Sequence, residues 1–432
     1  MGTGQGPVVG PLSAREAATR IVSAVEPLGA GRVALDDALG QVLAENIISP
    51  LDIPAWTNSA MDGYAARGDD VRGASLEHAR VLTVIEQIPA GHFPTRAIGP
   101  GECSRIFTGA PLPEGADTVI RQEDTDGGAD RVVITRDRDI GLNIRRAGED
   151  IRKGATVLAP GAPLGAAELG VLASLAVATP LVHRRPRVAI LGGGDEIVDI
   201  DQPEEILSGR KVASSNTHTL MALVRLAGGV PVNLGIARDT PESVQAHLER
   251  AADCDLLVTT AGISVGEHDH LRGVIEAMGG RVDFWKLRMR PGAPVGFGSL
   301  TIRASDRPTI PWVGLPGNPV STMVTFELFV RPAIRRLLGH PLPFRAATEV
   351  ELEAPIRLGP KLQHFLRAVV SDHPTVGPSV RLTGSQGSGI LTSMVKANAL
   401  LIVPEGTQEC EQGARMDALL LEDWRHQVTP PF

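Results

Sequence analysis

Between Pro186 and Leu338, apolar runs of strand length alternate with amphipathic stretches of helix length. A glycine-rich turn follows each of the three strongest runs. Arg187–Leu191 leads into Gly192-Gly193-Gly194, Leu256–Thr260 into Ala261-Gly262-Ile263-Ser264-Val265-Gly266, and Trp312–Leu315 into Pro316-Gly317-Asn318-Pro319. Further strands are expected at Val230–Ile236 and Val282–Leu287. Helices are expected near Asn216, from Pro241, around Leu271 and from Pro319 towards Leu338. Strands alternating with helices predict a doubly wound parallel sheet. Such sheets bind ligands beyond the carboxyl ends of their strands.

The flanking segments have other periods. Ser13-Ala14-Arg15-Glu16 fits a capping box, and apolar residues at helical spacing follow to Val25. From about Val42 to Asn143 short apolar stretches lie between Gly, Pro and Asp clusters, which predicts a mostly β region. A helical pattern returns near Ala166–Ala176, as if the first unit were rejoined after an inserted β domain. Beyond Pro343 the pattern is β again, at Val350–Leu352, Phe365–Val370, Val380–Leu382, Leu400–Val403 and Ala418–Leu421, and predicts a small barrel. The 48 glycines and 33 prolines, nearly one residue in five, agree with many tight turns.

Charge and cysteine usage exclude several functions. A net charge of -8 argues against a broad phosphate-binding surface and hence against nucleic acid. Any anion must be met by a local basic pocket. Cys103, Cys254 and Cys410 are far apart with no CxxC spacing, which argues against a zinc or iron–sulfur site. No signal-peptide pattern and no run of 18 apolar residues is found, so the chain reads as soluble, cytoplasmic and without a membrane partner.

Glycines let backbone amides approach a ligand, and a following helix N-terminus favours anions. The three turns therefore suggest one phosphate- or oxyanion-binding edge, although each alone is an ordinary tight turn. Asp195, Glu196, Glu267 and Asp269 fall on the same edge. Carboxylates beside phosphates suit Mg²⁺. Asp269 reads equally as a helix N-cap and Glu196 as a solvated loop charge. Alternation puts Lys286, Arg288 and Arg290 on one face of an extended segment, suited to an oxyanion or to simple solvent exposure. Lysine is scarce, at five residues among 42 basic ones, so Lys286 stands out. Asp62-Gly63, before the sole tyrosine Tyr64, reads locally as a turn.

Longer motifs add to this reading. Ser-Ala-Met-Asp-Gly-Tyr-Ala at 59–65, Thr-Gly-Ala-Pro-Leu-Pro-Glu-Gly-Ala-Asp at 108–117 and Asn-Ile-Arg-Arg-Ala-Gly-Glu-Asp at 143–150 resemble the molybdopterin molybdenumtransferase family. Gly-Asp-Glu at 194–196, Ser-Val-Gly-Glu-His-Asp at 264–269, Gly-Leu-Pro-Gly-Asn-Pro-Val-Ser at 314–321 and Gln-Gly-Ser-Gly at 386–389 continue the likeness in the family's order. The resemblance implies α/β plus β architecture in four domains. These would be a discontinuous helical linker domain at 1–42 and 144–185, an inserted mostly β domain at 43–143, a doubly wound molybdopterin-binding domain at 186–342 and a β-barrel domain at 343–432.

The resemblance also implies a function: Mg²⁺-dependent insertion of molybdate into adenylylated molybdopterin, with release of AMP. It implies a homodimer whose active site joins the third domain of one subunit to the second of its partner. An upstream molybdopterin adenylyltransferase and downstream apo-molybdoenzymes are the implied exchange partners. Carried over by position, Asp62, Thr108, Glu196, Asp269, Lys286 and Arg290 are the expected catalytic residues, with Glu196 and Asp269 as metal ligands. Gly194, Ser264, Gly266, Pro316, Gly317 and Pro319 are the expected substrate-binding positions. Arg290 stands where the family usually has a second lysine, and a planar fork there replaces a point charge. Ser214, Ala293 and Gly192-Gly193 also depart from the family's pattern. A non-catalytic molybdopterin-binding scaffold and a molybdopterin adenylyltransferase are the alternative readings.

Overall fold

A computed structural model describes residues 11–260, 270–302, 309–359, 361–373 and 377–421. The chain divides into two compact units. The first comprises Met1–Ala44, Gly161–Ala166 and Thr179–Phe432; the second comprises Glu45–Pro160 and Ala167–Ala178.

The first unit is organised by a six-stranded sheet. Its order is Val230–Ala237, Arg187–Gly193, Leu256–Thr260, Thr309–Leu315, Gly296–Thr301 and Arg281–Phe284. The first four strands are parallel, and Gly296–Thr301 runs antiparallel to both its neighbours, Thr309–Leu315 and Arg281–Phe284. Successive residues feed opposite faces. Val188, Ile190, Leu256, Val258 and Val313 pack with the helices Ser215–Leu226 and Pro319–Thr325 on one side. Ala189, Leu191, Leu257 and Trp312 pack with Pro241–Leu248 and Leu271–Ala277 on the other. Burial on both faces explains why these strands read as unbroken apolar runs.

Local signals set the helix ends. Ser13 accepts from the Glu16 amide at 3.2 Å, while Glu16 accepts from the Ser13 amide at 2.8 Å. Both halves of the expected capping box are thus present, and Ala14, Ala17 and Ile21 of that helix are buried. Thr240 caps the helix that Pro241 opens. Asn318 occupies an N-cap position but makes no side-chain cap bond. The helix from Pro319 continues to Leu337 through a widened π turn at Phe326–Val330. Pro332 lies just beyond; it lacks an amide hydrogen and its ring crowds the carbonyl four residues earlier, a local cause for the widening.

The expected strand Val282–Leu287 ends at Phe284. Beyond it Leu287 and Met289 are buried, and the Leu287 amide turns back to the Ala293 carbonyl at 2.8 Å. Met289–Arg290 then pairs with Gln363–His364. The C-terminal region is the expected barrel. Gln363–His373, Gly377–Leu382, Ala347–Leu352, Arg415–Leu420 and Ala399–Val403 pair in that order, and the last closes onto the first. Leu366, Ala368 and Val370 alternate into its core beside Val350, Val380, Leu401 and Ala418.

The second unit holds a five-stranded sheet in the order Thr118–Arg121, Gly63–Ala66, Glu102–Ile106, Arg80–Ile88 and Arg131–Ile134. Gly63 does not turn; it opens a wholly buried strand. A Cβ at Gly63 would lie 1.9 Å from the Ile120 carbonyl oxygen, so two strand backbones meet where only glycine fits. Cys103, Cys254 and Cys410 are free and buried, and desolvation pushes the Cys103 thiol up to about 12. Among the described residues no helix is long and apolar enough to cross a membrane.

The close approach at Gly63 gives a direct test. Gly63→Ala should destabilise the protein by about 1–3 kcal/mol, the usual cost of overpacking, because backbone must move to admit the methyl. Chemical denaturation followed by circular dichroism measures this. An unchanged midpoint would show that the sheet has room there.

Candidate active site

The carboxyl ends of Arg187–Gly193, Leu256–Thr260 and Thr309–Leu315 open into a cavity of about 510 Å³. Gly192, Gly193 and Glu196 form one wall, Ser214 to Asn216 another, and Pro316, Gly317 and Pro319 a third. This is the edge the glycine-rich turns point to.

One side chain ties the edge together. Asn216 lies in the first turn of the helix Ser215–Leu226. Its Nδ2 donates to Thr260 Oγ1 at 2.9 Å and to the Gly317 carbonyl at 2.7 Å. The Thr322 hydroxyl donates to the Pro316 carbonyl at 2.6 Å and steadies the same turn. These bonds satisfy turn carbonyls that lie near the cavity. The first amides of the Ser215 helix, which have no intrahelical partner, stand at its wall and suit an anion.

At the first turn, Gly194 has φ +124°, and a Cβ there would meet Glu196 Oε2 at 2.7 Å. Glycine thus leaves space for the Glu196 carboxylate. That carboxylate is exposed and makes no hydrogen bond or ion pair among the described residues. Lys211 Nζ donates to the Asp195 carbonyl at 2.7 Å beside it. Ser214, at the N-cap position, shares a 2.8 Å hydrogen bond with the Thr217 hydroxyl and makes no cap bond.

The structure brings Glu196, Pro316, Gly317 and Pro319 to one cavity, with Gly194 beside Glu196. Ser264, Gly266, Glu267 and Asp269 lie outside the described residues. The helix at Leu271 has His270 as its N-cap, one residue later than the position suggested for Asp269. Lys286 and Arg290 are exposed, their side chains without a hydrogen-bond or ion-pair partner among the described residues, and are not in the cavity wall; Pro294 of the same segment is. Arg288, on the same face, is already engaged by Glu405 at 3.0 Å and by the Pro11 carbonyl. Leu287 and Met289 are buried between them, so the segment alternates as expected, but its three cations differ in availability. Asn216 and Thr260 escaped the sequence reading, because an Asn near a helix start and a Thr at a strand end signal nothing beyond local structure.

Asp62 and Thr108 belong to the second unit, where they meet. The Thr108 amide and hydroxyl donate to Asp62 Oδ1 at 2.8 and 2.7 Å. The backbone bond first, then the hydroxyl, holds the Asp62 carboxyl below the usual carboxylate range; desolvation opposes this and the Arg105 charge adds to it. Among the described residues no three His, Cys, Asp or Glu side chains are grouped to hold a metal ion.

With this geometry in hand, comparison places the chain in molybdenum-cofactor biosynthesis. Residues 12–176 match the MoeA N-terminal region (domain I and II), residues 189–336 a probable molybdopterin binding domain, and residues 349–421 the MoeA C-terminal region (domain IV). A molybdopterin molybdenumtransferase of Nostoc sp. (strain PCC 7120) is 35% identical, over 89% of this chain and 87% of its own. The molybdopterin molybdenumtransferase of Bacillus subtilis (strain 168) is 34% identical, over 90% of each. The crystal structure of the molybdopterin biosynthesis moeA protein from Pyrococcus horikoshii OT3 superposes with a TM-score of 0.79 at 28% identity, over 95% of this chain and 100% of that one. The chain belongs to the molybdopterin molybdenumtransferase family.

The Asp62 pair predicts a titration. A depressed folded pKa contributes stability that is complete above the unfolded value and is lost as pH falls through the folded value. The window therefore lies on the acid side of about 3.9, the ordinary aspartate value, and Asp62 stays ionised at neutral pH. Thr108→Val removes the hydroxyl donor and keeps the amide. The Asp62 carboxyl should then titrate higher than in the wild type, though still below the ordinary value. Carbon-detected NMR of the carboxyl checks this; an unmoved titration would contradict the hydroxyl bond.

Proposed function

We propose that this protein transfers molybdenum from molybdate to adenylylated molybdopterin and releases AMP, in the cytoplasm. The observation that carries the reading is the 510 Å³ cavity at the sheet's carboxyl edge, held by Asn216 and walled by family motif residues. Family matches along the whole chain favour it over a scaffold or an adenylyltransferase.

In this reading the amides at the start of the Ser215 helix and the turn at Gly317 receive the substrate's phosphates. Water attacks a phosphorus of the anhydride and AMP leaves, while the two dithiolene thiols give up their protons as their sulfurs replace two molybdate oxygens, which depart as water with protons from the thiols and solvent. Substrate, and not protein, supplies the sulfur ligands, in keeping with three buried cysteines. Lys286 and Arg290, unengaged among the described residues, would hold molybdate or offset charge developing on phosphate. Glu196, an exposed carboxylate at the cavity with no described partner, fits an Mg²⁺ ion bound mostly through substrate oxygens; Asp269 is the proposed second ligand. Such an ion would supply neutralisation of the phosphate charge. A homodimer in which one subunit's Asp62 and Thr108 complement its partner's Lys286 accommodates the remaining motif residues, and the four-domain division goes with it.

Incubation with adenylylated molybdopterin, Mg²⁺ and molybdate tests the reading; AMP release that does not respond to molybdate would refute it. Removing one charge-assisted contact to a developing oxyanion costs about 10²–10³ in rate, so Lys286→Ala should lose about that much turnover while staying folded. Lys286→Arg should be partly active, because the guanidinium directs its donors differently. Arg288→Ala, which removes bonds to Glu405 and Pro11, should affect stability more than turnover. Single-turnover AMP release decides; a worse defect for Arg288→Ala than for Lys286→Ala would sink the oxyanion assignment. Mixing Asp62→Ala with Lys286→Ala subunits should restore some activity, and no rescue in verified mixed dimers would count against a shared site.

A further inference from the structure

The second unit holds Asp62 and Thr108 by their backbone connections. Asp62 immediately precedes the strand Gly63–Ala66, and Thr108 lies two residues past the strand Glu102–Ile106. The two strands are antiparallel neighbours, with Tyr64 opposite Arg105. On its other side Gly63–Ala66 pairs with Thr118–Arg121, and the Gln122 amide donates to the Asp62 carbonyl at 3.0 Å. The strand that follows Asp62 is thus flanked by one strand leading to Thr108 and another leading to Gln122.

Arg105 crosses all three. Its guanidinium stands 4.8 Å from the Tyr64 ring centroid and 5.3 Å from that of Phe107, the residue before Thr108. Its Nη2 then donates to Gln122 Oε1 at 2.5 Å. The side chain starts on one neighbour, passes the central strand's aromatic ring and ends on the other neighbour. Tyr64 is itself fixed, being 1% exposed, with its hydroxyl donating to the Gly128 carbonyl at 3.0 Å. Arg105 Nη1 is buried and has no hydrogen-bond partner in the described structure. A buried donor left unmet is costly, and stacking on aromatic rings offsets only part of that cost. What the arrangement achieves is restraint: both segments that meet at Thr108 and Asp62 are tied to one planar cation.

We propose that Arg105 is a positioning residue, a strap across the central strand that holds Asp62 and Thr108 in register for the transfer reaction. The proposal rests on the reading of Asp62 and Thr108 as site residues. A displacement of about 1 Å at a reacting centre can cost about 100-fold in rate, so a residue that touches no substrate can still matter to turnover. The strap acts through the pair, so its removal should count for nothing once the pair is gone.

The experiment uses the full-length protein and two variants that cut the strap at different ends, Arg105→Met and Gln122→Ala. Amide exchange by NMR or mass spectrometry reads the Thr108 amide against those of Ala65 and Ser104 in the sheet. Both variants should speed exchange at Thr108 by about tenfold or more while the sheet amides stay protected. Both should lower turnover by about 10- to 100-fold, with Arg105→Lys between them and the wild type because it keeps the cation but loses the fork. In an Asp62→Ala background the same substitutions should cost less than about twofold further, the non-additivity of groups acting as a unit. Unchanged Thr108 exchange in Gln122→Ala, or full additivity with Asp62→Ala, would overturn the proposal. If Arg105→Met unfolds the sheet, Gln122→Ala still decides. Wild-type turnover by Asp62→Ala alone would refute the site reading instead, and the exchange result would stand apart from it.

Discussion

A parallel sheet buried on both faces can expose backbone to a ligand only where its strands end. In this chain Val188, Ile190, Leu256, Val258 and Val313 are committed to one core and Ala189, Leu191, Leu257 and Trp312 to the other. These apolar side chains offer no polar group to a ligand. In the proposed reading the chemistry therefore falls at the strand ends, at Gly193, Thr260 and Leu315, and the backbone around them must be held in place. Asn216 does much of this, joining Thr260 and Gly317 through one amide. Gly194 does the rest on the other side by leaving space for Glu196.

The first unit was largely legible because its physics is repetitive. Unbroken apolar runs betray strands buried twice, and short apolar runs set between turn residues betray the barrel strands. The Ser13–Glu16 capping box is local, so four residues announced it. Less was visible where structure depends on distant partners. The bonds of Asn216 span 44 and 101 residues of sequence, and no window around Asn216 contains them. Gly63–Ala66 is a buried strand made of Gly, Tyr, Ala and Ala, without the β-branched residues that advertise strands, so the turn propensity of Asp-Gly prevailed in the reading. The segment from Lys286 to Arg290 alternates as a strand does, yet it leaves the sheet after Phe284 and joins the barrel edge at Gln363.

Electrostatics follow the same division between engaged and available groups. Arg288 is spent on Glu405, whereas Lys286, Arg290 and Glu196 carry charges that no described residue answers. In the second unit the Asp62 carboxylate is kept ionised by two donors from Thr108, so its charge is fixed before any ligand arrives. Preorganised charge of this kind costs no rearrangement during a reaction.

The central claim is that the sheet's carboxyl edge receives the phosphates of adenylylated molybdopterin. A crystal structure of the protein with that molecule bound tests it most directly. The account predicts that the phosphates lie against the Ser215 and Asn216 amides and the Gly317 turn, inside the 510 Å³ cavity. Phosphates bound elsewhere on the chain, with that cavity left empty in a complex that turns over, would contradict it.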